Sequence, residues 1–276
     1  MDRGALFSVE YLPDHKINGE KHAIELLNLV IDEKANIIIF PEFVCEKKIQ
    51  RAIRKELENI YQNTPERINH LLLVVAGTRW ENGNNIADIL AYDGRLLGHQ
   101  YKCVPYSSLK NDGEKLVERL KNPGKECTIV EIDKLGKIMF GICRDVVAEA
   151  YIAHLTEFFS PQFLLIPAWS NSVNRGFKGP LRRISSKNHT TCSVMCNCCE
   201  AYCGSKRFKR EVGMVVSPDE KGRSVIGRAD MICRNETDCR EECRASGCVF
   251  IVSLTESLEH NKNQGILVNV EQEFRN

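Results

Sequence analysis

The chain has 276 residues, 43% of them hydrophobic, which is enough to bury a large core and suits one α/β domain. Its 38 basic and 37 acidic residues leave a net charge of +1, so no global field favours nucleic acid or an anionic membrane. No apolar run approaches the roughly 20 residues that span a bilayer, and Met1-Asp2-Arg3-Gly4 does not open a signal peptide, so a cytoplasmic protein is expected.

In chain order, residues 5–11 alternate weakly and predict a first strand. Residues 20–34 have helical spacing, with Ala23, Leu26, Leu27, Val30 and Ile31 on one stripe that Ala35-Asn36 ends. Ile37-Ile38-Ile39-Phe40 is a continuous apolar run, as in a strand buried on both faces, and Pro41 takes the chain out of the sheet. Residues 46–61 predict an amphipathic, charged helix and 71–78 a strand. Strands over 86–92 and 96–101 flank Asp93-Gly94, a hairpin signal. Asn122-Pro123-Gly124 marks a turn, and strands over 128–132 and 137–142 pair across Lys134-Leu135-Gly136. A helix is predicted over 146–158, a buried strand over 163–167, a helix over 178–189 and a buried strand over 190–201. Strands over 212–216, 224–229 and 249–254 complete the pattern. Early alternation of strands and helices with recurring hairpins implies a mixed sheet system with helices outside, in one domain spanning 1–276.

Three reactive side chains stand at ends of these runs: Glu42, Lys102 and Cys143. Singly each has an ordinary reading: a solvated loop carboxylate, a strand-end lysine, a buried thiol acting as a small hydrophobe. Together they supply a base, an ammonium and a nucleophile, enough for covalent acyl transfer. Gly141 permits close backbone approach, and Cys143 precedes a polar pair, Arg144-Asp145, that opens a helix and would favour a thiolate.

The order strand-Pro41-Glu42, Tyr101-Lys102, Pro123-Gly124, Gly136-Lys137-Ile138 and Gly141-Ile142-Cys143-Arg144-Asp145 resembles the nitrilase, or carbon–nitrogen hydrolase, superfamily over nearly the whole chain. Leu164 to Ser170 looks like that family's strand and loop after the nucleophile helix, and Val215 to Asp219 like its late hairpin. The resemblance implies a four-layer α-β-β-α sandwich. It implies Glu42 as general base, Lys102 as oxyanion stabiliser and Cys143 as nucleophile. A second glutamate before the Pro-Gly turn is matched by Glu118, with Glu114 as the alternative. An exposed helix carboxylate is the competing reading, since 114–121 is charged throughout.

Expected substrates are small amides, carbamoyl compounds or nitriles, the first two before the third. No metal or organic cofactor is implied, and homodimers through the helices at 146–158 and 178–189 are. The chain departs from the family at Arg144, where an aromatic is usual, at Val146-Val147-Ala148 in place of Arg-Phe-Pro, and in lacking a Gln in its opening strand. These departures leave the substrate open. Arg144 would pair with a substrate carboxylate or phosphate, or fold back onto Glu149 or Asp145; Trp169 and Arg175 are further candidates for the acyl part. They also motivate a second reading, a nitrilase-like interaction or regulatory module within a larger defence or nucleic-acid-processing protein.

The thirteen cysteines are odd in number and are read as mostly reduced. Cys192, Cys196, Cys198, Cys199 and Cys203 read as small residues of a buried strand. Cys233, Cys239, Cys243 and Cys248, in a polar loop, leave a zinc site or disulfides open.

Overall fold

The structure, a computed structural model, describes residues 5–7, 13–109, 115–133, 135–147, 151–170, 173–188, 191–198, 200–203, 206–209, 213–218, 224–227, 249–251 and 273–275. The first half contains β1 (Ala5–Phe7), α1 (Pro13–Asp32), β2 (Ile37–Ile39), α2 (Lys47–Asn63), β3 (Leu73–Glu81), β4 (Asn84–Ala91), β5 (Leu96–Tyr101), β6 (Ser107–Leu109) and β7 (Lys115–Glu118). Next come β8 (Ile129–Ile132), β9 (Gly136–Phe140), α3 (Arg144–Val147), α4 (Ile152–Phe159), β10 (Phe163–Ala168), α5 (Val173–Asn188) and β11 (Cys192–Asn197). The remainder forms β12 (Glu200–Cys203), β13 (Lys206–Lys209), β14 (Gly213–Pro218), β15 (Ser224–Gly227), β16 (Val249–Ile251) and β17 (Glu273–Arg275).

Two sheets form the body. One has four strands in the order β2-β3-β4-β5; the other has six, β15-β14-β11-β10-β9-β8. Strand β3 shows why they stack. It is buried from Leu73 to Arg79, and period-two alternation sends Leu73 and Val75 one way and Val74 and Ala76 the other. Leu73, Val75, Ala87 and Ile89 join Phe140, Leu164, Ile166 and Met195 in one core between the sheets. Val74, Ala76 and Leu90 join Leu27 and Ile31 of α1 and Ile49, Ile53 and Leu57 of α2 in a second core. On the far face of the six-stranded sheet, Phe177, Leu181 and Ile184 of α5 cover the strands. The layers run α1/α2, sheet, sheet, α4/α5: the expected α-β-β-α sandwich. Gln100 ties the sheets at one edge, its Oε1 accepting the N–H of Thr128 at 2.9 Å.

Several boundaries differ from the sequence reading. Helix α1 starts at Pro13, seven residues before the expected start at residue 20, because proline is well placed in a first helical turn. Lys34, at φ 64, ends the segment. The helix expected over 146–158 is two, α3 and α4, on either side of residues 148–150, which lie outside the described set; left-handed Ser160 closes the second. The strand expected over 190–201 stops at Asn197, whose side chain accepts the Ser170 N–H at 2.8 Å instead of extending a ladder. The charged 114–121 stretch is not a helix: Lys115–Glu118 is a strand between β1 and β6. Among the described residues no helix is long and apolar enough to cross a membrane.

Candidate active site

The site forms where parallel strands of the two sheets end together. Strand β2 runs parallel to β3 and β9 parallel to β10, so Glu42 and Cys143 both follow carboxyl ends. The backbone at the end of β10 joins them: Ala168 O accepts the Glu42 N–H at 3.3 Å and Pro167 O the Cys143 N–H at 3.0 Å. Such carboxyl ends are where open α/β sheets present side chains to ligands. Gly77, at a bulge in β3, lets that strand approach: a Cβ there would stand 2.7 Å from Pro41 O. Phe43 and Cys143 both adopt left-handed backbone, φ 62 and φ 46, which is strained for residues bearing a Cβ. Thr78 Oγ1 holds the first, accepting the Phe43 N–H at 2.9 Å.

Lys102 follows β5 and is almost wholly buried, 2% exposed. Its Nζ lies 2.7 Å from Glu42 Oε1 and 2.7 Å from Glu118 Oε2. Glu118 is equally buried, at the end of β7, and its Oε2 also accepts the Tyr106 N–H at 2.8 Å. The Pro-Gly turn braces this arrangement from behind. Gly124 donates to Lys102 O at 2.9 Å, and a Cβ on it would meet Tyr101 O at 2.7 Å.

Electrostatics assign protonation states. Burial disfavours the Lys102 ammonium, but Glu42, Cys143 and Glu118 outweigh it and hold the pKa above its ordinary value, so the lysine stays charged. Burial pushes Glu42 above the usual carboxylate range; Lys102 pulls it back in part, and Glu118 adds to the rise. Burial and then Glu42 push the Cys143 thiol up, against the pull of Lys102, so the resting nucleophile keeps its proton. Glu42 Oε2 is buried with no hydrogen-bond partner among the described residues, leaving one carboxylate oxygen free to take a proton. The Cys143 Sγ lies 3.9 Å from Trp169 O.

Glu42, Lys102, Glu118 and Cys143, named from sequence, thus converge. Glu114 lies outside the described residues. Trp169 packs edge-on against Phe43, ring centroids 6.1 Å apart. Arg144 does not fold onto Asp145; its Nη1 reaches Ser107 O at 3.4 Å, and Glu149 lies outside the described residues. Arg175 is exposed near the start of α5. Two further residues complete the site: Asp145, which the nucleophile motif contains but to which it assigned no role, and Asn85, which no motif singled out. Asp145 is fully buried and caps backbone: Oδ1 accepts the N–H groups of Cys103 at 2.9 Å and Val104 at 2.7 Å, and Oδ2 that of Ile142 at 3.0 Å. Burial still pushes its pKa up, to about 7. Asn85, the second residue of β4, donates from Nδ2 to Glu42 Oε1 at 2.7 Å and to Glu118 Oε1 at 3.3 Å. The available signal for it was a polar side chain opening an apolar strand. Among the described residues no His/Cys/Asp/Glu group is arranged to hold a metal; Cys233, Cys239, Cys243 and Cys248 lie outside that set.

No protein-family model matches the chain, and no curated protein matches its sequence. Solved structures do match. A cysteine-to-alanine mutant of the Nesterenkonia AN1 amidase, from the nitrilase superfamily, is 15% identical, with 77% of this chain and 87% of that one covered at TM-score 0.54. Saccharomyces cerevisiae Nit3, a member of branch 10 of the superfamily, is 19% identical over 78% of this chain and 81% of its own, at TM-score 0.53. The C. elegans NitFhit protein is 19% identical over 73% of this chain and 52% of its own, at TM-score 0.54. The chain has the nitrilase-superfamily fold.

Proposed function

We propose that the chain is a cysteine-dependent hydrolase of a non-peptide carbon–nitrogen bond, in an amide or carbamoyl group before a nitrile. The observation that carries this reading is the buried Lys102 ammonium, 2.7 Å from each of two carboxylates, with a protonated thiol beside one of them. A buried ion cluster of this kind is a poor stabilising device, since desolvation offsets most of its attraction. It is a good catalytic one, because the base is poised by its pKa and the cation is fixed beforehand.

Glu42 takes the Cys143 proton on Oε2 as Sγ attacks the substrate carbonyl carbon and the C–S bond forms. Lys102 and the N–H of Arg144, at the first position of α3 and without an acceptor inside the helix, stabilise the oxyanion. Glu42 delivers the proton to nitrogen, the C–N bond breaks, and ammonia or an amine leaves. Water, deprotonated by Glu42, then attacks the thioester; the C–S bond breaks, Cys143 recovers a proton, and the acid departs. Every proton and charge in the sequence is carried by a residue of the chain. Arg144 and Trp169 are assigned to the substrate's acyl part, beside the nucleophile.

A glutamate-substituted Nesterenkonia amidase, 14% identical, carries the acetamide moiety of fluoroacetamide covalently on its active-site cysteine, which supports a nucleophilic thiol in this fold. The direct test is brief treatment with limiting iodoacetamide at neutral pH followed by peptide mapping. Rapid, selective modification of Cys143 that falls in Glu42→Gln, and ammonia release from a panel of primary amides that is lost in Cys143→Ala, are expected. Unselective labelling together with no turnover would overturn the reading.

Self-association through α4 and α5 is part of the proposal. Phe158 on α4 is 80% exposed, an apolar surface available to a second copy. Light scattering should give a dimer or higher oligomer, and Phe158→Asp should give monomers.

A further inference from the structure

We infer that Asn85 is a positioning residue that sets the proton affinity of Glu42. This rests on the reading of Glu42, Lys102 and Cys143 as the catalytic set. Asn85 touches every charged member of the ion cluster or its backbone. Its carbonyl accepts the Lys102 N–H at 2.9 Å, and one side-chain nitrogen donates to Glu42 Oε1 at 2.7 Å and Glu118 Oε1 at 3.3 Å. A single residue therefore fixes the lysine's main chain, through its backbone carbonyl, and both carboxylates that flank the ammonium, through its side-chain amide.

Two features argue against a merely structural amide. Asn85 is 1% exposed, yet its Oδ1 is buried with no hydrogen-bond partner among the described residues. Half of the amide is thus left unsatisfied, a cost that an apolar side chain of the same shape would avoid. The amide orientation is also forced, since the reverse would set Oδ1 against two carboxylates. What the amide provides is its donor pair. Glu42 and Glu118 share one cation between them, so the cluster carries an excess negative charge, and Glu118 already drives Glu42 toward protonation. A neutral donor shared by both stabilises the ionised forms without adding a charge that would compete with Lys102 for the oxyanion. Without it, Glu42 would hold its proton at a higher pH and fail as a base sooner on acidification.

The groups facing Glu42 are Lys102 after β5, Glu118 ending β7 and Cys143 after β9, so the titration belongs to that set. The test is the pH profile of Cys143 alkylation by iodoacetamide in wild type and in Asn85→Leu, which keeps the shape and loses the donor. Expected is an upward shift of the acid limb by about one pH unit, which is about tenfold slower reaction below it, with rates converging well above it. A structural defect alone would scale the rate at every pH; an unmoved limb overturns the inference. Should Asn85→Leu not fold, the wild-type Asn85 side-chain amide signals in a 15N-asparagine-labelled sample decide. They should titrate with the same midpoint as alkylation, and signals flat across the limb overturn the inference. A wild-type Cys143 that reacts no faster than Cys103 at any pH would remove the catalytic reading itself, and this inference with it.

Discussion

Glu42, which faces the Cys143 thiol, and Asp145, two residues beyond that cysteine in the chain, are two buried carboxylates, and the structure treats them in opposite ways. Glu42 faces a lysine, a second carboxylate and an amide, and keeps one oxygen without a hydrogen bond. Asp145 has both oxygens occupied by three backbone N–H groups from two separate segments, residues 103–104 and 142. The first is surrounded by groups that can exchange protons and charge. The second is surrounded by groups that cannot, and its work is to pin the segment after Lys102 to the turn that presents Cys143. Burial alone does not distinguish a chemical carboxylate from a structural one; the partners do.

Substitutions should separate the two. Glu42→Gln should lower turnover by about 10²–10⁴-fold, the range of a lost general base, while leaving neutral-pH thermal stability equal or higher. Its folded-state pKa is raised, so at neutral pH the ionised side chain opposes folding, and Gln removes that opposition. In the wild type the same shift makes activity fall, on acidification, through a pH above the ordinary carboxylate range.

Lys102→Met attacks chemistry and fold together. It should cost about 10²–10³-fold in turnover and about 3–5 kcal/mol in stability, because two buried carboxylates lose the cation they share. Glu118→Gln in the same background should recover part of the stability and none of the turnover, as read by denaturant melts and ammonia release.

Asp145→Asn should reverse the pattern of Glu42→Gln. Its amide nitrogen would face the Ile142 N–H, donor against donor, and stability should drop by about 1–3 kcal/mol. Turnover should fall less than in Glu42→Gln. The folded form holds the Asp145 proton more tightly than the unfolded chain, so its contribution to stability fades as pH rises from 3.8 to about 7. Melting temperature followed across that window should flatten in the variant. The smallest effect belongs to Arg144→Gln. With its backbone N–H retained, the change should raise KM for substrates with an anionic acyl part by about tenfold, leaving kcat and neutral substrates unchanged.

The legible parts of this site were those whose local sequence is unusual for its element. A glutamate after Ile-Ile-Ile-Phe-Pro, a lysine ending a strand and a cysteine between an apolar run and a polar pair all stand out from their neighbours. Glu118 was harder, because its neighbours are charged too; only the pairing of β7 with β1 and β6 shows that this one carboxylate turns inward. Asn85 sits in an Asn-Gly-Asn-Asn stretch that reads as a turn, and its value comes from β4 lying next to β5, whose end carries Lys102. The role of Asp145 depends on backbone N–H groups of residues 103–104 and that of Asn85 on the carboxylates of Glu42 and Glu118, partners distant in sequence that residue patterns do not encode. Periodicity points to helices outside a mixed sheet system, since both faces of β3 are apolar and α1 and α2 each carry one apolar stripe; the four-layer order was implied by the family resemblance.

The left-handed backbone at Cys143 has a consequence that a melting experiment can read without any substrate. For a residue bearing a Cβ this conformation lies about 1–2 kcal/mol above the right-handed one, and glycine is exempt. Removing the thiol in two ways, as Cys143→Ala and Cys143→Gly, therefore weighs the turn itself. Gly ordinarily loses to Ala through the freedom it gains on unfolding; here the order should invert, with the glycine variant the more stable. The difference measures how much resistance to heat the chain gives up to hold its sulfur where the two sheets meet.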